Sequence, residues 1–115
     1  MESQLIGLLG KFLLCVIVIR MVVSMMQLIF EIPDSANIKE KRRVIKSIME
    51  KMRQRFHLSA AEVDLHDSLS FCQIGAALVS NSHTFGETVL QKAFNMIEKE
   101  NPVRIHDMKI HSEEF

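Results

Sequence analysis

Tryptophan and tyrosine are absent from the 115 residues, so any aromatic recognition rests on the seven phenylalanines. The two cysteines, Cys15 and Cys72, stand in unrelated contexts with neither metal-ligand nor redox spacing, as expected of a reduced, cytoplasmic chain. The four glycines form no phosphate-cradling cluster, and Gly75 stands alone inside an apolar alternation. A Ser-His-Asp set, an HExxH motif and paired acid–base carboxylates are all missing. The expectation is a protein that is not an enzyme and carries no cofactor.

Long hydrophobic runs are also lacking. Within residues 1–20 the longest stretch without a charge is eight residues, whereas a membrane-spanning helix needs about 20. A signal peptide fits poorly, because Glu2 precedes the apolar part and no small-residue cleavage site follows it. Three readings stay open. One is a membrane anchor in which residues 5–32 form a single imperfect span with Lys11 and Arg20 snorkelling. Another is a soluble extension packed on the domain. The favoured one is upstream sequence before a natural start at Met21, where a strand begins. Residues 1–20 are accordingly set apart from a domain over residues 21–115, and a membrane role depends on their being translated.

What the chain does have is charge asymmetry. It carries 14 basic and 14 acidic residues, for a net charge of zero. Eight of the basic residues fall between Lys39 and Arg55, with only Glu40 and Glu50 to oppose them. One helix therefore holds about +6 and the remainder about −6, which makes the chain a dipole.

Patterning supplies the fold class. Val22, Ser24, Met26, Leu28, Phe30 and Ile32 share one face of a strand that Pro33 ends. Asn37, with Glu40 three residues later, caps a helix running to about Arg55. Ile38, Ile45, Ile48, Met49, Met52 and Phe56 form its core stripe, with Lys41, Lys51 and Arg55 on a flank. Residues 60–64 read as a short strand. In residues 71–80, Cys72, Ile74, Ala76 and Leu78 alternate against Phe71, Gln73, Gly75, Ala77 and Val79. Ser82 caps a second helix built on Phe85, Val89, Ala93 and Met96, with Leu90, Phe94 and Ile97 alongside; Asn101-Pro102 stops it. Val103, Ile105, Met108 and Ile110 suggest a last, bulged strand, followed by a frayed tail over residues 111–115. The order β-α-β-β-α-β predicts an α+β, ferredoxin-like sandwich, an antiparallel sheet with two helices on one face.

Several of these residues carry a resemblance. Met21-Val22-Val23, Ile32-Pro33, the run KEKRRVIKS over residues 39–47, Arg55-Phe56, Ala61-Glu62-Val63-Asp64, His66-Asp67 and Ile74-Gly75 resemble the YlxP-like family of small bacterial proteins. The resemblance covers about 95 residues from Met21 onward. It implies the ferredoxin-like fold and brings no established activity. Family members are often encoded beside translation and ribosome-maturation factors, which implies an RNA-linked role by association alone. Many members carry a Trp-Gln pair entering the third strand. This chain has Leu69-Ser70 there, so a stacking or amide-reading role for that pair does not transfer.

Three surfaces are candidates for function. Lys39, Arg42, Arg43, Lys46 and Arg53 line one side of the first helix and could grip the phosphates of RNA or ribosomal particles. Five such contacts predict a log–log salt slope of about −4 to −5 on a duplex. The competing readings are a solvated face neutralised by Glu40 and Glu50, or a site for an acidic protein. Asp64, His66 and Asp67 could hold a divalent ion weakly. A turn in which Asp67 caps backbone donors, and Glu62 or Asp64 pairs with a base on the first helix, is the plainer expectation. Cys72 reads as a small buried hydrophobe rather than a nucleophile. Finally, Val23, Met25 and Ile29 leave apolar groups on the uncovered face of the sheet, which favours a sheet-to-sheet homodimer.

Overall fold

The computed structural model describes residues 20–33, 37–65 and 67–115. The expectations placed on residues 1–19 lie outside that range. Six elements follow one another: β1 (Val22–Glu31), α1 (Ile38–Phe56), β2 (Ser59–Asp64), β3 (Phe71–Ser80), α2 (His83–Glu100) and β4 (Arg104–Glu114). The strands form one antiparallel sheet in the order β2-β3-β1-β4, and both helices cover the same face of it. This is the ferredoxin-like arrangement expected from the element order.

The alternation in β1 sorts its side chains as predicted. Val22, Ser24, Met26, Leu28 and Phe30 are buried under the helices, while Val23, Met25, Gln27 and Ile29 face the other way. Burying a side chain such as Leu28 or Phe30 contributes about 1.5–3 kcal/mol. Ile45, Ile48, Met49 and Met52 of α1, and Leu90, Ala93, Met96 and Ile97 of α2, complete the core with Cys72, Ile74 and Ala76 of β3. Three expected core positions are more open. Ile38 and Phe85 are exposed, and Phe56 is half-buried; each lies in a terminal turn of its helix. Residues 22–31, within the described part of the imagined span, form a strand paired on both sides rather than a membrane-spanning helix. Among the described residues no helix is long and apolar enough to cross a membrane.

Both helices begin as the caps predict. Asn37 is extended, and its Oδ1 accepts the Glu40 amide at 3.0 Å; Ser82 Oγ accepts the Phe85 amide at 3.1 Å. At the end of α1, His57 takes the left-handed conformation (φ 54°) and the Leu58 amide reaches back to the Met52 carbonyl. That reversal lets β2 start only two residues after the helix.

The C-terminal tail is a correction. Residues 111–114 are not frayed; they continue β4 against Val22–Met25, with the Phe115 amide on the Met21 carbonyl. The expected bulge sits at His106, the extra residue opposite the Ile29/Phe30 step. Side chains add to the pairing. Ser112 Oγ donates to Glu87 Oε2 at 2.7 Å, which leaves it as acceptor for the buried Ser24 hydroxyl at 2.8 Å. Arg20 bonds both oxygens of Glu114.

That polar chain exists because Gly86 lets α2 approach β1. A Cβ on Gly86 would lie 2.0 Å from Ser24 Oγ and 2.7 Å from Ser24 Cβ, so the glycine is needed for close approach. Alanine is the better helix former by about 1 kcal/mol. Gly86→Ala should nevertheless destabilise the protein by about 1–3 kcal/mol through overpacking, measured by urea unfolding.

Candidate nucleic-acid interface

The eight basic residues of α1 divide into two sets of four. Four are committed to the fold. Lys41 is 1% exposed, and its ammonium donates to the Leu65 carbonyl at 2.7 Å and to the Ser68 carbonyl. Arg53, expected in the phosphate-gripping stripe, donates instead to the Ala60 carbonyl at 2.7 Å and holds the start of β2. Lys51 and Arg55 both reach Glu100 of α2, at 3.7 and 2.9 Å.

The other four are Lys39, Arg42, Arg43 and Lys46. All are exposed, and none takes part in an ion pair or side-chain hydrogen bond among the described residues. Together with Asn37 and Glu40 they line one shallow concavity on the first half of the helix. Their i, i+3, i+4, i+7 spacing sets them in a row roughly 10 Å long. Glu50, expected to neutralise the stripe, is exposed and forms no ion pair with it. The positive end of the helix lies at the same end of the row and adds to its potential.

Lys41 explains why these four face water. Relative to its inward direction, 100° per residue places positions 39, 42, 43 and 46 between about 100° and 200° away. Lys41 itself falls in phase with Ile45, Ile48 and Met52, on the core stripe rather than on the flank expected for it. The stripe position was the sequence signal for its burial. Its ammonium also reaches the backbone of Leu65, which holds a left-handed conformation (φ 64°) that is costly for leucine.

The weak metal candidates sit on this same loop. Asp64 Oδ1 accepts the Leu65 amide at 2.7 Å rather than pairing with α1, and Asp67 is exposed. His66 lies outside the described residues. Among the described residues no three ligand side chains converge, and the inward carbonyls of Leu65 and Ser68 are turned on the lysine ammonium.

Cys72 is fully buried, as expected, and its Sγ donates to Glu62 Oε2 at 3.4 Å. Burial, then the hydrogen bond and charge of Glu62, push the thiol from 9.0 up to about 12, with Lys41 opposing. At neutral pH it stays protonated and is a poor nucleophile.

Two outcomes follow from this cluster. Lys41→Met leaves two inward carbonyls without a donor, and should cost about 2–4 kcal/mol in urea unfolding. The thiol adds a pH dependence. An unfolded Cys72 loses its proton near pH 9 while the folded one keeps it to about 12, so this contribution is complete below pH 9 and fades above it. Stability should therefore fall more steeply above about pH 9 in the wild type than in Cys72→Ala.

Comparison with known proteins places this architecture in a family. The family described as "Protein of unknown function (DUF503)" matches residues 23–110. "Uncharacterized protein YlxP" of Bacillus subtilis (strain 168) is 33% identical over 65 residues, which cover 56% of this chain and 71% of that protein. Among solved structures, "De novo designed protein Foldit4" is similar at a TM-score of 0.46 and 12% identity, over 81% of this chain and 96% of that one. The aligned residues take in the basic helix, the loop held by Lys41 and most of the sheet, and on that match the chain belongs to the DUF503, YlxP-like family.

Proposed function

We propose that this chain is a non-enzymatic, cytoplasmic binding module that docks on RNA, free or within ribosomal particles, through the first half of α1. The observation that carries the reading is the set of four exposed cations without ion pairs among the described residues, Lys39, Arg42, Arg43 and Lys46, while every other base of the helix is engaged within the fold. A duplex presents a phosphate charge for about every 1.7 Å of axis. A row roughly 10 Å long therefore meets enough phosphates to occupy all four side chains. Arg42 and Arg43 offer bidentate geometry for phosphate oxygens; Lys39 and Lys46 act as point charges.

The open sheet face is a poor platform for bases. Phe71 is the one phenylalanine within the strands on that face, and its ring lies 5.1 Å from that of His106 at a tilt of 53°. Recognition through α1 alone reads the backbone and its shape rather than sequence.

With Arg53 engaged by β2, four contacts replace five. Co-sedimentation with ribosomal particles across a salt series should give a log–log slope of about −3 to −3.6. Arg42→Glu, Arg43→Glu and Lys46→Glu together should abolish association, and nuclease treatment should release the wild type. Binding that ignores salt and survives the triple substitution overturns the reading. Binding that survives nuclease but not the substitutions assigns the stripe to an acidic protein instead.

A further inference from the structure

The sheet face turned away from the helices has a step across it. Register pairs Ala61 with Gly75, Gly75 with Gln27 and Gln27 with Lys109; the adjacent row runs Ser59, Ala77, Met25, His111. Both rows pass from small side chains on β2 and β3 to long ones on β1 and β4. The small half floors an open trough of about 630 Å³, walled by Met25, Gln27, Lys109 and His111 of the long half. Val63 rims it, its Cγ1 3.4 Å from where a Cβ on Gly75 would lie. Three apolar side chains stay open on this face: Met25, Val63 and Val79 are 37%, 52% and 65% exposed.

We propose that a second copy of this chain closes the face, with a two-fold axis along the strands between β1 and β3. Such a rotation keeps each row at its height and reverses its order. The long half of one copy then enters the small half of the other. Met25 lies over the partner's Ala77, Gln27 over the partner's Gly75, and Lys109 over the partner's Ala61. One surface thus supplies both ridge and trough, as an isologous interface requires.

Area and charge agree with this occupant. Four strands spaced about 4.8 Å and rising about 3.3 Å per residue give a face of roughly 600 Å². Two copies bury roughly 1,200 Å², at the lower edge of specific, stable interfaces. The ridge carries Asp107, Lys109 and Glu113 in alternation, and the chain's net charge is zero, so two copies meet without long-range repulsion. Stacked sheets lie about 10 Å apart, which sets the two basic helices on opposite outer faces. The dimer would bridge two anionic segments rather than tighten its hold on one.

Sedimentation velocity on the full chain tests the arrangement. The wild type should sediment as a species of twice 13.2 kDa at micromolar concentration. Ala77→Arg blocks the trough and Gln27→Arg overfills the ridge; each should weaken association by roughly 100-fold. Gln27 is exposed, so its substitution leaves the monomer folded by circular dichroism even if Ala77→Arg does not. Arg42→Glu with Arg43→Glu should leave the dimer intact. A wild type that stays monomeric at about 300 µM, or a dimer that both arginine substitutions leave unchanged, overturns the proposal.

Discussion

Lys41 carries an ammonium out of water, and such a group is tolerated only where its donors are met. The carbonyls of Leu65 and Ser68 meet them. The consequences spread from there. The bond ties the β2–β3 loop to the first half of α1 and holds Leu65 in a backbone conformation it would otherwise leave. It also fixes the helix's rotation about its own axis. With position 41 turned inward beside Ile45 and Ile48, positions 39, 42, 43 and 46 have no direction available except outward. The free cationic row is thus the far side of a buried lysine, not an independent surface feature. Every buried side-chain nitrogen and oxygen among the described residues has a partner, so the arrangement leaves no polar debt inside.

Much of the fold was legible because local signals agreed with one another. The period-two alternation of β1, the caps Asn37 and Ser82, and the stops at Pro33 and Pro102 each mark one boundary and agree on the β-α-β-β-α-β order. The tail was not legible, for a physical reason. Ser112, Glu113 and Glu114 carry no apolar alternation, and they are ordered by partners some 90 residues away, in Met21–Ser24 and Arg20, and by Glu87. Phe85 fails in the opposite sense. Its spacing is right, but Gly86 rather than Phe85 is the residue of the first turn of α2 that meets β1.

The candidate site was legible as a charge count and not as a geometry. Counting eight bases on one helix treats each as outward, the usual state of lysine and arginine. Half of them are not free: one is buried, one is bonded to a strand carbonyl and two are paired with Glu100. Arg53 and Lys46 look equivalent on a helical wheel. They differ because only Arg53 stands near the chain reversal at His57, where β2 offers a carbonyl within reach. Cys72 shows the same limit from the other side. Alternation predicts its burial, but the carboxylate beside it comes from the neighbouring strand, and that pairing decides its chemistry.

A two-layer fold gives its two outer surfaces different work. The helix layer has polar exterior positions by construction, since each helix buries a single stripe, so charge accumulates there without straining the core. The open sheet face is mixed, with Gln27, Gln73 and Lys109 beside apolar side chains. β1 and β3 are central strands whose outer faces keep Val23, Met25, Ile29 and Val79, and such residues favour being covered. The free cations and the open apolar face therefore lie on opposite sides of the same molecule. An anion drawn to α1 does not compete with a partner on the sheet, and occupation of one surface leaves the other accessible. Besides the chain itself, the hydrogen bonds of Lys41 to the Leu65 and Ser68 carbonyls tie the basic helix to the loop between β2 and β3. The buried ammonium holds that loop in place against the first half of α1.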